Sequence, residues 1–533
     1  MKKLGLVENY TPRGIWAVYK TKLGNPAFCV DLCIKKMGVI SRQATKLTIA
    51  NLFGLLLGVF NTLFIYPLDK HIYGLAMFVL SVGLLLDTFA SLGLNSLTLR
   101  FFPRFKDPTQ ANRGYLAFAI IYYGVGWLLF FIFFKLFSSS FLQMLLANYP
   151  DNSKDLSLFF QFIPWIVALT SIQSFFTIYL SQFQRVVIPG IVVNVVPKLW
   201  IPATFLLTYH GLINEQGMVY CTIALLALSA LTLVVYTSML GQLSFTPQWK
   251  FYDRPQLKEM LHFSAFSILG TVGTQMALRI DQTMIGTLLS TDALGLYALA
   301  QTIAVAVEMP AKSVINITGP IIGDLFKKDD FHQINELFKK SALNMTATGI
   351  FLFLGLVLVV DDLFALSHHK DVLVPVQKLA SVLVIAKLFD MFTGPNDFII
   401  GLSKYYKFNL ILIFLLSIAN VVFSVTFIHI YGIYGPPLAL VFFLFTFNAI
   451  KTYFIWKKFK MLPFSRNSIT LIVLGAIAVG IHFIVPSFRN NWLNLFLGLG
   501  ILSITYILPI LYLKLTPDLI GLVLNIVKHR KLY

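Results

Sequence analysis

The residues able to do chemistry in this chain are few, and their placement is unusual. Asp, Glu, Lys and Arg make up 12% of the 533 residues, against 57% hydrophobic. Eight of those inside long apolar runs are candidates for a role at membrane depth: Asp87, Lys198, Arg279, Asp281, Glu308, Lys312, Lys387 and Asp390. A charge at membrane depth is expensive, so it faces a partner or a water-filled cavity. One reading is mutual neutralisation. Lys387 and Asp390 are spaced i, i+3 on one helix face, and Arg279 can meet Glu308 across helices. The other reading is a lining for an anion. Lys198 and Lys387 lie about halfway along their runs and Arg279 in the outer half of its own, so none of the three snorkels easily. A guanidinium suits a phosphate bidentately, and an ammonium acts as a point charge. Lys135, Lys378 and Lys451 stand near run ends and are expected to snorkel. The carboxylates, Asp87 and Glu308 first and then Asp281 and Asp390, either balance these cations or take up H⁺ or Na⁺. Asn61 and Gln282 are candidate polar lining.

The elements that must position these groups are apolar runs, fourteen in all. They fall at about 47–66, 73–95, 114–137, 156–181, 187–209, 216–240, 260–288, 293–317, 341–361, 374–400, 408–430, 436–456, 468–486 and 492–513. Each is long enough to cross the roughly 30 Å hydrocarbon layer as a helix. A barrel strand would alternate apolar and polar residues, whereas Leu128–Phe134 is apolar on every face. The composition excludes a soluble enzyme, a disordered chain and a disulfide scaffold. The expected fold is an all-α polytopic membrane protein.

The net charge of +19 suggests nucleic acid at first sight, but its distribution points elsewhere. The linkers after odd-numbered runs hold only Lys70, Lys154, Lys370 and Arg489. The even linkers and both ends hold thirty-one basic residues, Arg100, Arg104, Lys106 and Arg113 among them. Basic loops stay cytoplasmic, so both termini are expected there and no nucleic-acid partner is. Cys29, Cys33 and Cys221 fit no zinc spacing. Asp362, His368, His369 and Asp371 in one outer linker read as a solvated turn rather than a metal site. No metal and no cofactor is expected.

The expected organisation is a leader at 1–46, a six-helix lobe at 47–240, a cytoplasmic linker at 241–259, a second lobe at 260–456, two further helices in 457–514 and an amphipathic tail at 515–533. Met37 offers an alternative start, which would make 1–36 a mis-assigned leader. In the tail, Thr516-Pro517-Asp518 reads as a helix start for an interfacial segment. Prolines at 164, 189, 197, 202, 310, 395 and 509 are expected to bend or break their helices.

An internal repeat underlies the two lobes. Tyr73-Gly74-Leu75-Ala76 opens one run and Leu294-Gly295-Leu296-Tyr297-Ala298 another. Thirteen residues after each glycine stands a carboxylate, Asp87 or Glu308, and thirteen before each an amide, Asn61 or Gln282. Six helices per copy is an even number, so the copies share one orientation about an axis along the membrane normal.

Several segments carry a resemblance. Ile49-Ala50-Asn51 through Tyr66-Pro67, Ser91-Leu92-Gly93-Leu94-Asn95 and Arg100-Phe101-Phe102-Pro103 resemble the start of a Wzx-type oligosaccharide flippase of the multidrug/oligosaccharidyl-lipid/polysaccharide superfamily. Arg279-Ile280-Asp281, Ile285-Gly286 and Ala293 through Ala300 with Pro310 resemble that family's span 7–8 segment. The resemblance implies a two-lobed bundle of fourteen helices in a bacterial inner membrane. It implies a flippase for undecaprenyl-diphosphate-linked oligosaccharide, driven by an ion gradient (H⁺ or Na⁺) and serving surface polysaccharide synthesis beside a polymerase and chain-length proteins. Lys198, Arg279 and Lys387 are the residues expected to receive the diphosphate or an acidic sugar. A drug or cation antiporter and a lipid II flippase of the same superfamily stay open, as does a polytopic glycosyltransferase or polymerase.

Overall fold

The computed structural model describes residues 39–148, 161–360, 369–485 and 491–516, with 362, 364 and 488 besides. Cys29, Cys33, Lys154, His368, Arg489 and the segment expected to form an interfacial tail helix lie outside them. Among the described residues every regular element is helical. Helices are what apolar runs must form in lipid, because each satisfies its own backbone polar groups.

The chain enters with α1 (Val39–Phe60) and α2 (Lys70–Ala90), followed by a short amphipathic α3 (Leu94–Phe105). Then come α4 (Tyr115–Asn148), α5 (Ile163–Ser181), α6 (Val187–Asn194), α7 (Pro197–Tyr209) and α8 (Glu215–Met239). The second half opens with α9 (Arg254–Leu288) and α10 (Thr291–Lys327), then α11 (Phe331–Gly355), α12 (Lys370–Thr393) and a short α13 (Asn396–Leu402). It closes with α14 (Tyr406–Tyr431), α15 (Gly435–Phe459), α16 (Arg466–Ile484), α17 (Asn491–Leu502) and α18 (Leu508–Tyr512). Among the described residues eleven helical stretches are long and apolar enough to cross a membrane. One of these, Lys407–Phe459, contains both α14 and α15, which a tight turn at Gly432–Tyr434 separates.

Several expected boundaries move, each for a local reason. The run read as 73–95 stops at Ala90, because Gly93 takes a left-handed φ of +73° and restarts the chain as α3. The run read as 187–209 breaks before Pro197, which has no N–H to continue a helix and begins α7 instead. The run read as 374–400 breaks at Gly394, with φ +63°, and Pro395. Pro310 interrupts nothing: α10 continues through it to Lys327. The segment read as a linker from 241 is already helical from Arg254. Its earlier part is docked rather than free. Tyr252 stacks on Phe105 and Phe118, and Asn112 Nδ2 donates to Gln242 Oε1 at 2.9 Å. Burial pushes the Tyr252 hydroxyl up from its ordinary value.

α2 and α10 pack side by side through the middle of the molecule, and their first turns meet reciprocally. A Cβ on Gly74 would lie 1.9 Å from the carbonyl oxygen of Thr291. A Cβ on Gly295 would lie 1.9 Å from the carbonyl oxygen of Lys70. Only glycine permits so close a backbone approach. At the same seam His71 Nδ1 lies 2.9 Å from Asp292 Oδ1, and these two residues, like the two glycines, are 221 apart in sequence. Lys70 reaches Asp292 at 3.2 Å and His71 Nε2 reaches Glu215 at 3.6 Å, so this end of the bundle is closed by backbone contact and polar pairs.

Candidate functional site

Lys198 owes its position to Pro197. The proline restarts the helix, which places the lysine in the first turn of α7. Its side chain runs alongside α1, where a Cβ on Gly58 would sit 3.6 Å from its Cδ, Cε and Nζ. Gly54 leaves similar room, 3.7 Å from Nζ. Asn61 Nδ2 donates to the Lys198 carbonyl at 2.7 Å, from the start of a π-helical turn at Asn61–Ile65. Such turns often mark functional sites in membrane helices and elsewhere. Among the described residues no carboxylate lies within ion-pair distance of Lys198.

The other deep charges gather in the second half of the chain. Glu308 forms ion pairs with two lysines, Lys312 at 3.3 Å one turn along α10 and Lys387 of α12 at 3.4 Å. The expected pairs therefore change partners. Lys387 faces Glu308 across helices rather than Asp390 on its own, and Glu308 is already engaged where Arg279 was expected. Arg279 has Asp281 of its own helix within electrostatic reach, and Asp281 also lies within reach of Lys387. Asp281 is buried and accepts from the Tyr297 hydroxyl at 2.6 Å. Asp390 accepts from Asn448 Nδ2 at 3.0 Å, while Asn448 Oδ1 receives Thr393 and Asn396, each at 2.8 Å.

Lys451 departs from expectation. It does not snorkel: α13 folds back over that end of α15 and leaves the side chain 0% exposed. Its ammonium stands 2.9 Å from Asp397 and 3.6 Å from the centre of the Phe447 ring. Lys135 and Lys378 are exposed, as expected of run ends.

Asp87 stands apart from all of these. It is buried between α2 and α5, where Ser171 and Ser174 donate to it. Asp87 and Glu308, paired by sequence register, thus sit among hydroxyls and among ammonium groups respectively. Gln282 bridges three helices, accepting from Ser81 of α2 and donating to Gln301 of α10. Ser171, Tyr297, Asn448 and the pairing of His71 with Asp292 were not singled out in sequence. Hydroxyls and amides in apolar helices are too common for spacing to select them. Among the described residues no group of three His, Cys, Asp or Glu side chains is placed to hold a metal.

Two apolar cavities flank the central helices. One, of about 450 Å³, is lined by Val59, Thr62 and Leu63 of α1, Ile303 and Ala306 of α10, and Leu502 of α17 among others. The second, of about 690 Å³, is lined by Ile280, Thr283 and Met284 of α9 and Val82 and Leu85 of α2, with phenylalanines of α4. Each named residue on α1 and α10 in the first corresponds, at the same 221-residue separation, to one on α9 and α2 in the second.

Long apolar helices, packed around buried charges and closed at one end, make this a multi-pass membrane protein, and its fold is that of transporters. The lipid II flippase MurJ in an inward closed conformation superposes with a TM-score of 0.65 at 14% identity, covering 88% of this chain and 99% of that one. An inward-facing multidrug resistance MATE family transporter of the MOP superfamily superposes with a TM-score of 0.53 at 12% identity, covering 77% and 94%. The sequence narrows the class. The profile of the polysaccharide biosynthesis protein family matches residues 40–326, more than half the chain, and the chain belongs to that family. The teichuronic acid biosynthesis protein TuaB of Bacillus subtilis (strain 168) is 24% identical over 226 residues, which are 38% of this chain and 46% of TuaB. The match thus spans about half the length of that relative. The resemblance read from the segments between Ile49 and Pro310 is borne out.

Proposed function

We propose that the protein is a flippase that carries an undecaprenyl-diphosphate-linked oligosaccharide from the inner to the outer leaflet of a bacterial inner membrane. The architecture we assign is fourteen spans with both termini cytoplasmic, in two six-helix lobes of one orientation followed by two helices. The reciprocal glycine contact and the matched apolar cavities support that repeat. The alternation of basic linkers supports the orientation.

The observation that carries the reading is Lys198. It is a deep cation with no carboxylate partner among the described residues, held in a slot that two glycines leave open. A half-buried, unpaired ammonium of this kind suits a phosphate. Arg279 is the second receiving group. Lys387 is bridged to Glu308, so it acts as part of a charge-balanced cluster that an arriving anion would have to reorganise. The apolar cavities beside the central helices let a polyprenyl chain stay in a lipid-like setting while the polar head crosses. Asp87, Glu308, Asp281 and Asp390 remain the candidates for H⁺ or Na⁺ coupling. Asn61 and Gln282 are polar lining. A polysaccharide polymerase and chain-length proteins are the expected neighbours, and membrane lipids surround the bundle. The transporter fold leaves no role for the glycosyltransferase reading. A cation exporter of the same fold would want an uncompensated deep carboxylate, and Asp87, held by serine hydroxyls alone, is one; the choice of an anionic cargo therefore rests on Lys198.

The test is surface polysaccharide in cells carrying Lys198→Gln or Arg279→Gln. Both variants should remain in the membrane and lose export. Normal export by both would overturn the reading.

A further inference from the structure

A third cavity has a different chemistry from the two apolar ones. It lies between α3, the first half of α9 and the start of α14, and holds about 730 Å³, within the range of small-molecule sites. We propose that this groove is a reception site for the phosphate-bearing saccharide head of the cargo, occupied before the head reaches Lys198 and Arg279. This rests on the flippase reading and adds a second site to it.

The charges in the groove favour an anion. Arg100 lines it from α3 and Lys407 from α14, with His262 between them on α9. The lining holds one carboxylate, Glu259, and Arg104 already takes it through contacts at 3.1 and 3.5 Å. No carboxylate among the described residues pairs with Arg100 or Lys407. The Arg100 guanidinium instead lies over the Phe263 ring, 4.4 Å from its centre. Stacking fixes the guanidinium plane and leaves its N–H edge free for a bidentate anion.

The rest of the lining suits a sugar. Phe263 and the exposed Phe266 present ring faces, while Ser267, Thr271 and Gln275 present hydroxyl and amide groups. Ser267 and Thr271 each donate to a carbonyl of their own helix, which leaves their oxygens as acceptors for sugar hydroxyls. These residues follow one another along α9, and Gln275 stands one turn before Arg279. The groove therefore runs from an exposed cationic mouth along a single helix that carries a deep cation one turn beyond its last lining residue. Its location on the side of the basic linkers is where a precursor made in the cytoplasm would arrive.

The experiment uses the full chain in lipid nanodiscs, with a short-chain prenyl-diphosphate-linked N-acetylglucosamine as probe. Binding should weaken as salt is raised. Arg100→Gln and Lys407→Gln should each weaken it on the order of tenfold, the scale of a charge-assisted hydrogen bond. Arg100→Lys should recover part of the loss. Lys407 is exposed, so its variant tests the groove without a folding burden. Unchanged binding in Lys407→Gln and Arg100→Gln would overturn the proposal. So would displacement of the probe by phosphatidylglycerol at equal affinity, which would make the groove a phospholipid headgroup site. Lys198→Gln and Arg279→Gln should still bind the probe while losing export. Export that survives those two variants, with probe binding intact, would instead sink the flippase reading.

Discussion

Gly74→Ala is the perturbation most tightly constrained by the geometry. The added methyl would fall 1.9 Å from the Thr291 carbonyl oxygen. Carbon and oxygen in contact are normally about 3.3–3.6 Å apart, so α2 and α10 must part by more than 1 Å at their first turns. The obstacle is backbone, and no side chain can swing away to relieve it. Overpacking of this kind costs about 1–3 kcal/mol. The cost falls only on conformations in which this end is closed, whereas the better helix propensity of alanine acts in both states and cancels from the ratio. The ratio of closed to open molecules therefore falls roughly 5- to 150-fold. Ser81 reports the change. It is buried on α2, seven residues and thus about 10 Å further in. In a background with Cys29, Cys33 and Cys221 replaced, Ser81→Cys should react faster with a membrane-impermeant maleimide applied from outside once Gly74→Ala is added. Gly295→Ala meets the Lys70 carbonyl at the same 1.9 Å and should do the same. Gly124→Ala meets nothing within 4 Å and should leave labelling unchanged. Equal labelling in all three would refute the argument that backbone contact holds this end shut.

Other outcomes follow from the buried charges. Asp292→Asn removes the acceptor of Lys70 and His71, but all three side chains are about a third to two-fifths exposed, so labelling at Ser81→Cys should rise by no more than about fivefold, the worth of a surface pair. Glu308→Gln strands Lys312 and Lys387, and the dependence of export on the H⁺ or Na⁺ gradient should change. Asp87→Asn should alter that dependence independently, since Asp87 has its own serine partners, and unchanged ion dependence in both variants would remove them as coupling groups. Asp397→Asn leaves the buried Lys451 ammonium without its counter-charge and should lower the melting temperature of the purified protein, whereas Lys451→Met should melt no lower than the wild type. The reverse order would show that the pair is not what stabilises that end of α15.

The all-helical membrane fold was legible from apolar length, which depends on the chain's own solvent rather than on particular neighbours. The offsets around Gly74 and Gly295 were legible too, because they repeat at one register, and the backbone contact between those two glycines falls at that register. The breaks at Gly93, before Pro197 and at Gly394 were legible only where a proline marked them. The left-handed turn at Gly93 resembles any other glycine in sequence. Of the candidate site, residue identity was legible and pairing was not. Lys387 and Asp390 have the spacing of a helical pair, yet α12 turns Lys387 toward Glu308 and Asp390 toward Asn448. Spacing along one helix says which side chains share a face. It does not say which neighbouring helix that face meets. Lys451 was misread for the same reason: nearness to the end of a run implies escape to the interface only if no other element covers it, and α13 does.

The two halves of the proposed repeat solve one problem in two ways, and the difference bears on direction. Position 58, counted back by the 221-residue register from Arg279, is a glycine, and position 60, counted back from Asp281, is Phe60. The first half therefore carries neither the guanidinium nor its carboxylate on α1. It supplies a cation from another helix instead, with Lys198 of α7 lying in the space that Gly58 leaves. Equivalent places in the two halves thus hold positive charge, but only the second half also holds the matching negative charge. On the proposed function, an anionic cargo would meet an ammonium that no carboxylate among the described residues neutralises, and a guanidinium it must share with Asp281. The first partner would favour capture and the second would favour release when Asp281 competes. A symmetric pair of free cations would bind a diphosphate more tightly and surrender it less readily. If the chain is the flippase proposed above, a carrier that must let go on the far side, the unequal arrangement serves it better.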